Sequence, residues 1–131
     1  MQQSGLEPYK SIAYFEYDFA VHGGAVGDIA VPGTPVPPGA IITSGVIQVK
    51  QAVTSEGAAT VAAKALSDED ILAATAKSAL TANALLDVVP NGAAANMIRL
   101  TAHLTTLTLT VAEAALTAGK ILIALEYLVA D

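Results

Sequence analysis

The two histidines of the chain, His22 and His103, are the first residues whose chemistry could matter. His22 is followed by Gly23 and Gly24, and a histidine–glycine–glycine run occurs in the backbone-donor loop of some esterases. Those enzymes also need a serine nucleophile in a G-x-S-x-G turn, and the sequence contains none. The two histidines also lack the close spacing that is typical of metal ligands. We therefore expect both to be structural or solvated residues.

Two groups of acidic residues are candidates for a metal site or a hydrolytic site. The run Asp68–Asp70 follows Ser67 and lacks the alternating acids and central glycine of a calcium loop. A serine followed by acids is instead typical of a helix start, with an N-cap and negative charge in the first turn. Glu16 and Asp18 have the spacing of two carboxylates on one strand face, as a glycosidase could use. The chain has no tryptophan to line a sugar cleft, so a solvated charged pair is the simpler interpretation.

Other catalytic chemistry has no support in the sequence. The absence of cysteine excludes disulfides, thiolate metal sites and a cysteine nucleophile. No glycine-rich phosphate loop is present either. We therefore expect that the protein is not an enzyme and that it needs no cofactor or metal.

The composition points to contact with other protein chains. Only 14% of the residues are charged and 53% are hydrophobic, whereas ordinary globular domains carry about 25% charged residues. Apolar and hydroxyl side chains must then cover much of the surface, and contiguous surface of that kind usually marks an interface. An alanine- and threonine-rich monomer is the alternative.

The charge and hydropathy patterns argue against two further classes of partner. A net charge of −6 is the opposite of the basic surface that binding to nucleic acid requires. It is equally unfavourable for an anionic membrane surface. The longest apolar stretches, such as Ile121–Leu125, are far shorter than the roughly 18 residues that span a bilayer. We expect no nucleic acid and no membrane as partners.

Alternating apolar and polar residues predict the strands of the fold. The segment 10–21 places Ala13, Phe15, Tyr17, Phe19 and Val21 on one face, and 105–111 places Leu107, Leu109 and Val111 inward. The segment 120–129 is apolar on both faces for most of its length, which indicates a central strand or an interface. Further strands are predicted at 25–31, 40–53 (with a bulge or bend at Gly45), 58–65, 85–89 and 97–102.

Two segments interrupt the strands, and together the elements define the fold class. The proline-rich segment 32–39 predicts an extended loop or a crossing between sheets. The segment 71–80, after the Ser67 cap, predicts the only helix. The sequence therefore predicts a flexible N-terminal arm at residues 1–9 and a single domain at residues 10–131. That domain is mainly β, a β-sandwich or jelly roll of about seven or eight strands with one short helix.

Three segments of the chain resemble a group of small structural proteins of tailed bacteriophages. The matching pieces are Gly24–Gly27 within GGAVGDIAVPG, Asp87–Asn96 within LLDVVPNGAAAN, and Leu107–Val129, which begins LTLTV and ends ALEYLV. The likeness extends over roughly residues 15–130. Its motifs are turns and composition rather than catalytic groups, so no functional residue is carried over.

The resemblance implies a virion component of β-sandwich or jelly-roll fold. Such modules serve as capsid cement (decoration) proteins or as domains of head and tail fibres. A cement protein sits on the outer surface of the head as a dimer or trimer and bridges subunits of the major capsid protein. The function expected on this basis is that of a cement protein; a fibre or spike domain and a carbohydrate-binding module are the alternatives.

The final strand supplies the candidate contact residues. Its apolar character on both faces leaves Leu122, Ala124 and Leu128 on the side opposite to the core-facing residues. We expect these three residues, together with the N-terminal arm, to contact neighbouring subunits.

Overall fold

A computed structural model of the protein describes residues 9–66, 70–88 and 98–129. The predicted arm up to residue 8 and the acidic residues Asp68 and Glu69 lie outside these ranges, whereas Tyr9 belongs to the first strand. Within the described residues the elements are β1 (Tyr9–Asp18), α1 (Phe19–His22), β2 (Gly27–Val36), β3 (Ile41–Ser55), β4 (Thr60–Lys64), β5 (Leu72–Ala76), a 3₁₀ turn (Lys77–Ala79), β6 (Leu85–Asp87), β7 (Ile98–Arg99), β8 (Leu104–Ala112) and β9 (Leu116–Val129).

The strands pair as one long antiparallel ribbon that is folded back on itself and rolled up. β4 pairs with β5, β3 with β6, β2 with β8, and β1 with β9, each pair enclosing the one before it. Rolling brings β9 against β3 and β8 against β4, which gives two sheets in the orders β1-β9-β3-β6 and β2-β8-β4-β5. The short β7 adds to β3. This is jelly-roll topology, so the predicted fold class is confirmed.

The two sheets are joined at one point between β1 and β2. The register there pairs Phe15 with Gly33. A Cβ atom on Gly33 would lie 2.5 Å from Cδ2 of Phe15 and would also collide with the carbonyl oxygen of Tyr14. Only glycine therefore lets β2 pass this close to β1 before it turns into the second sheet.

The core fills the space between the sheets with the inward side chains of both. The alternation predicted for β1, β8 and β9 is confirmed. The fully buried side chains of these strands include Ala13, Phe15, Tyr17, Leu107, Leu109, Val111, Ile121, Ile123 and Leu125. The strand predicted at 10–21 ends earlier, at Asp18, since Phe19 and Val21 lie in α1 and Val21 is exposed. In β8 the alternation is interrupted between Leu104 and Leu107, which are both buried. The Asp18 carboxylate starts that helix by accepting a hydrogen bond from the Ala20 amide at 3.0 Å.

The bulge predicted in the third strand is present beside Gly45. The pairing of β3 with β9 shifts register between Ile42 and Ser44. Period-two alternation without a bulge would put Ile41, Thr43, Ile47 and Val49 on one face, whereas the shift puts Ile42 in the core together with Ile47 and Val49. A bulge of this kind reverses which side chains face the core because the strand period is two residues.

The helix predicted at residues 71–80 is wrong. This segment forms β5 and the 3₁₀ turn, and β5 pairs with β4. Asp70 is buried, and its carboxylate accepts hydrogen bonds from the amides of Ala65 at 2.6 Å and Leu66 at 2.9 Å. These bonds hold the bend between β4 and β5. Asp70 thus stabilises the connection between two strands instead of lying in the first turn of a helix.

The proline-rich segment is also more regular than predicted. β2 continues to Val36, and Pro32 pairs with Thr106 of β8. The register shifts between Pro32 and Val36. Proline has no amide hydrogen to donate to a neighbouring strand. It is tolerated here because the hydrogen-bonded ladder between β2 and β8 is irregular.

The alternation of β8 predicts opposite effects for two adjacent residues. We expect Leu109→Ala to lower the free energy of unfolding by about 2–5 kcal/mol, because it leaves a cavity between the sheets. Thr108→Ala, on the outward face, should change it by less than about 1 kcal/mol. Urea unfolding at one protein concentration measures both values. Equal effects at the two positions would contradict the assigned faces.

Candidate protein-contact surface

One side of the first sheet presents a continuous surface made by β1, β9 and β3. Antiparallel pairing puts the outward residues of the three strands side by side in rows. We call these residues the outer face: Lys10, Ile12, Tyr14, Glu16 and Asp18 of β1, Lys120, Leu122, Ala124, Glu126 and Leu128 of β9, and Ile41, Ser44, Val46, Gln48 and Lys50 of β3.

The centre of the outer face is apolar and open to solvent. Tyr14, Ala124 and Val46 lie directly opposite one another across the three strands. Tyr14 is 52% exposed, Val46 48% and the neighbouring Ile12 47%. A shallow depression of about 190 Å³ lies between these strands, lined by Ile12, Ser44, Gly45, Val46, Ala124 and Glu126. Large exposed side chains around a small central residue form ridges beside a groove, a shape suited to receiving side chains of another protein.

The charged residues of the outer face pair among themselves. The ammonium nitrogen of each of three lysines lies near a carboxylate oxygen: Lys50 to Glu16 at 2.8 Å, Lys10 to Glu126 at 3.7 Å and Lys120 to Asp18 at 3.7 Å. Glu126 also accepts hydrogen bonds from the hydroxyls of Thr43 and Ser44. The outer face therefore carries balanced charge and an apolar centre.

The sequence-predicted contact residues all lie on the outer face. Leu122, Ala124 and Leu128 are half-buried there, and each belongs to a different row across the three strands. Their role in contacts between subunits stays a prediction. Ile12 and Val46, which border the central groove, were not identified from the sequence, since only the register of β1 and β3 against β9 reveals them. The signal in the sequence was that Ile12 alternates in phase with the charged residues Glu16 and Asp18, and Val46 with Lys50.

Glu16 and Asp18, whose spacing fits a pair of carboxylates for glycoside hydrolysis, are engaged in these ion pairs. Glu16 pairs with Lys50, and Asp18 pairs with Lys120 and caps α1. Within the described residues, no group of three or more histidine, aspartate or glutamate side chains is placed to hold a metal ion. The described part of the chain likewise has no helix that is both long and apolar enough to cross a membrane.

His22 has a structural role at the end of β1. Its ring stacks on that of Tyr17, with 5.8 Å between the centroids, and its Nδ1 accepts a hydrogen bond from the Asp18 amide at 3.0 Å. The Tyr17 hydroxyl donates to the carbonyl oxygen of Gly23 at 2.5 Å. These contacts fix the turn from α1 toward β2. His103 lies exposed just before β8.

Burial raises the pKa of Tyr17 from 10.0 to about 12, with a smaller contribution from the negative charge of Asp18. Because the pKa in the folded protein lies above the unfolded value, the folded state keeps this proton longer than the unfolded state does. The contribution of this shift to the free energy of unfolding is fully present below pH 10. It is lost as the pH rises from 10 through about 12.

A spectrophotometric titration tests this environment. We expect the tyrosinate absorbance of the native protein to include a late step near pH 12. Tyr17→Phe should remove that step, whereas Tyr14→Phe, on the exposed outer face, should leave it in place. A late step that survives Tyr17→Phe would contradict the assignment.

Comparison with known proteins adds evidence on the fold. No protein-family model matches the chain, and no curated protein matches it in sequence. Solved structures do match. A chain of the structure described as the cyanophage Pam1 capsid asymmetric unit is 15% identical, with a TM-score of 0.68 over 98% of this chain and 91% of that one.

Two further similar chains come from other phages. One belongs to the acid-stable capsid structure of Helicobacter pylori bacteriophage KHP30, at 12% identity and a TM-score of 0.62 over 95% of this chain and 94% of that one. The other belongs to the capsid of Ralstonia phage GP4, at 14% identity and a TM-score of 0.60 over 92% and 86%. At these identities the likeness shows a shared fold.

Proposed function

We propose that the protein is a structural component of a bacteriophage capsid. The observation that supports this most strongly is the match in fold to chains from three phage capsid structures, over at least 92% of this chain and at least 86% of each of the others. The match thus spans whole chains of comparable size rather than a shared fragment. A fold alone does not define a function, so the surface of this chain must carry the rest of the proposal.

The more specific proposal is a cement protein on the outer surface of the head. A surface that faces packaged DNA would need lysines and arginines free to neutralise phosphates. Here Lys10, Lys50, Lys64 and Lys120 each lie within 4 Å of a carboxylate oxygen. Lys77 donates to the carbonyl oxygen of Ser55. Five of the six lysines and arginines are held in this way, the sixth being Arg99, and the chain has a net charge of −6, which together favour a position outside the shell.

A cement protein acts by binding the assembled shell better than its separated parts. Any such preference shifts the equilibrium toward the intact shell by mass action. The major capsid protein is the proposed partner in that binding. The outer face, with Leu122, Ala124 and Leu128, is the proposed surface for contacts between subunits, and the N-terminal arm is a second contact.

Two other functions remain as alternatives with less support. A fibre or spike domain of the virion would share the fold. A carbohydrate-binding module would need aromatic side chains exposed on a concave surface. Among the described residues only Tyr9 and Tyr14 are strongly exposed aromatics. They are five residues apart on β1, which puts them on opposite faces of the strand instead of on one surface.

Co-sedimentation with capsids tests the cement proposal. The purified protein is mixed with expanded heads from the phage that encodes it. These heads are prepared without this chain. We expect saturable binding at a fixed ratio to the major capsid protein, together with a higher melting temperature of the heads. Protein that stays in the supernatant at every concentration would refute the cement role, and a glycan-binding screen would then test the carbohydrate alternative.

The contribution of the arm can be measured in the same assay. We expect deletion of residues 2–8 to weaken capsid binding at least about tenfold, since the arm is the proposed second contact with the shell. The melting temperature of the isolated protein, which reports on the jelly roll itself, should change little and serves as the control. Unchanged capsid binding would remove the arm from the interface.

A further inference from the structure

We propose that the outer face is covered by another copy of this same chain. The inference deepens the proposed function, because it names the neighbour that the contact residues of the outer face meet. Balanced charge, area and shape each support a contact between copies. The rest of the surface is then left for other components of the virion.

The distribution of charge is the first argument. The outer face carries three lysines and three carboxylates, all of them paired within it. The whole chain has a net charge of −6, and exposed acids outside this face include Asp28, Glu56 and Glu113. At its border, Asp87 of β6 lies opposite Val46 and Arg99 of β7 lies opposite Ile41, and these two opposite charges leave the balance unchanged. Two identical acidic molecules repel each other least where the local charge is zero. A basic partner would be attracted to the acidic remainder of the surface instead.

The size of the outer face is sufficient for such a contact. β1 has ten residues, and strands rise about 3.4 Å per residue at a spacing of about 4.8 Å. Three strands therefore give a rectangle of about 34 Å by about 15 Å, or about 500 Å² in projection. Two copies would bury about 1,000 Å² in projection and more over the corrugated surface, which reaches the lower limit for a specific interface.

The shape of the outer face is the third argument. The side chains of Ile12 and Tyr14 on one side and Val46 on the other rise beside Ala124, which leaves the groove between them. A second sheet of the same kind can place its ridges along such a groove, as facing sheets do in sandwiches when their side chains interdigitate. The ion pairs surround this centre and can remain hydrated at the rim.

The first measurement is the mass of the purified protein, by light scattering across a range of concentrations and without capsids. We expect a multiple of the 13.2 kDa chain mass. Ala124→Glu should raise the dissociation constant at least about a hundredfold, because it puts an unpaired charge in the centre of the contact. Ala30→Glu makes the same change on the exposed face of β2 in the other sheet and should leave the mass unchanged.

A second measurement uses the absence of native cysteine, which makes an introduced thiol the only one in the chain. The thiol of Ala124→Cys should react slowly with Ellman's reagent in the oligomer, and much faster once Leu128→Glu, four residues along β9, separates the copies. The thiol of Ala30→Cys should react at the same rate with and without Leu128→Glu. This pair of variants does not depend on whether Ala124→Glu folds.

Two results would overturn the inference. One is a monomer at every concentration. The other is an oligomer in which the reactivity of Ala124→Cys does not respond to Leu128→Glu, since the copies would then meet through another surface. Neither result depends on capsid binding, which is measured separately. Failure of the self-contact and failure of the cement role are therefore distinguishable.

Discussion

The structure depends on the position of β9, the last strand of the chain, in the centre of the first sheet. β9 pairs with β1 from Lys120 to Val129 and with β3 along nearly its whole length. The first and last strands are thereby joined, and the nested ribbon closes on itself. Because each neighbour of β9 comes from a distant part of the sequence, the fold rests on non-local pairing, which is typical of slowly folding β-proteins. The core residues Ile121, Ile123 and Leu125 are aligned by the same pairing.

The central position of β9 also explains why it is apolar on both sides. Its inward residues fill the core, and its outward residues are flanked by two strands instead of by solvent. Leu122 and Leu128 are half-buried for this reason. The sequence allows two explanations for the apolar character of this strand, a central position in the sheet or an interface. The two explanations are therefore not exclusive. The strand is central, and its outward side still leaves the groove over Ala124 open.

Sequence patterns were informative where a strand alternates cleanly. In β1 and β8 the burial of Phe15, Tyr17, Leu107 and Leu109 follows directly from period-two alternation. The pattern failed in the alanine-rich segment of β5, because alanine favours helices intrinsically and gives little contrast between faces. There the long-range pairing of β5 with β4 overrides local preference. It likewise failed at Pro32, where an irregular ladder accepts a residue that a regular one excludes.

The candidate contact surface was predictable only in part, for a geometric reason. Alternation along β9 identifies Leu122, Ala124 and Leu128. The residues that lie beside them on β1 and β3 depend on the register of the strands, which alternation does not give. The bulge between Ile42 and Ser44 decides which residues of β3 face outward, and a shift by one residue would have turned Val46 inward. The bulge therefore positions Val46 beside Ala124 and Ser44 beside Glu126. A local irregularity of one strand thus determines the shape of the groove, whereas two of the three ion pairs around it join β1 to β9 and do not involve β3.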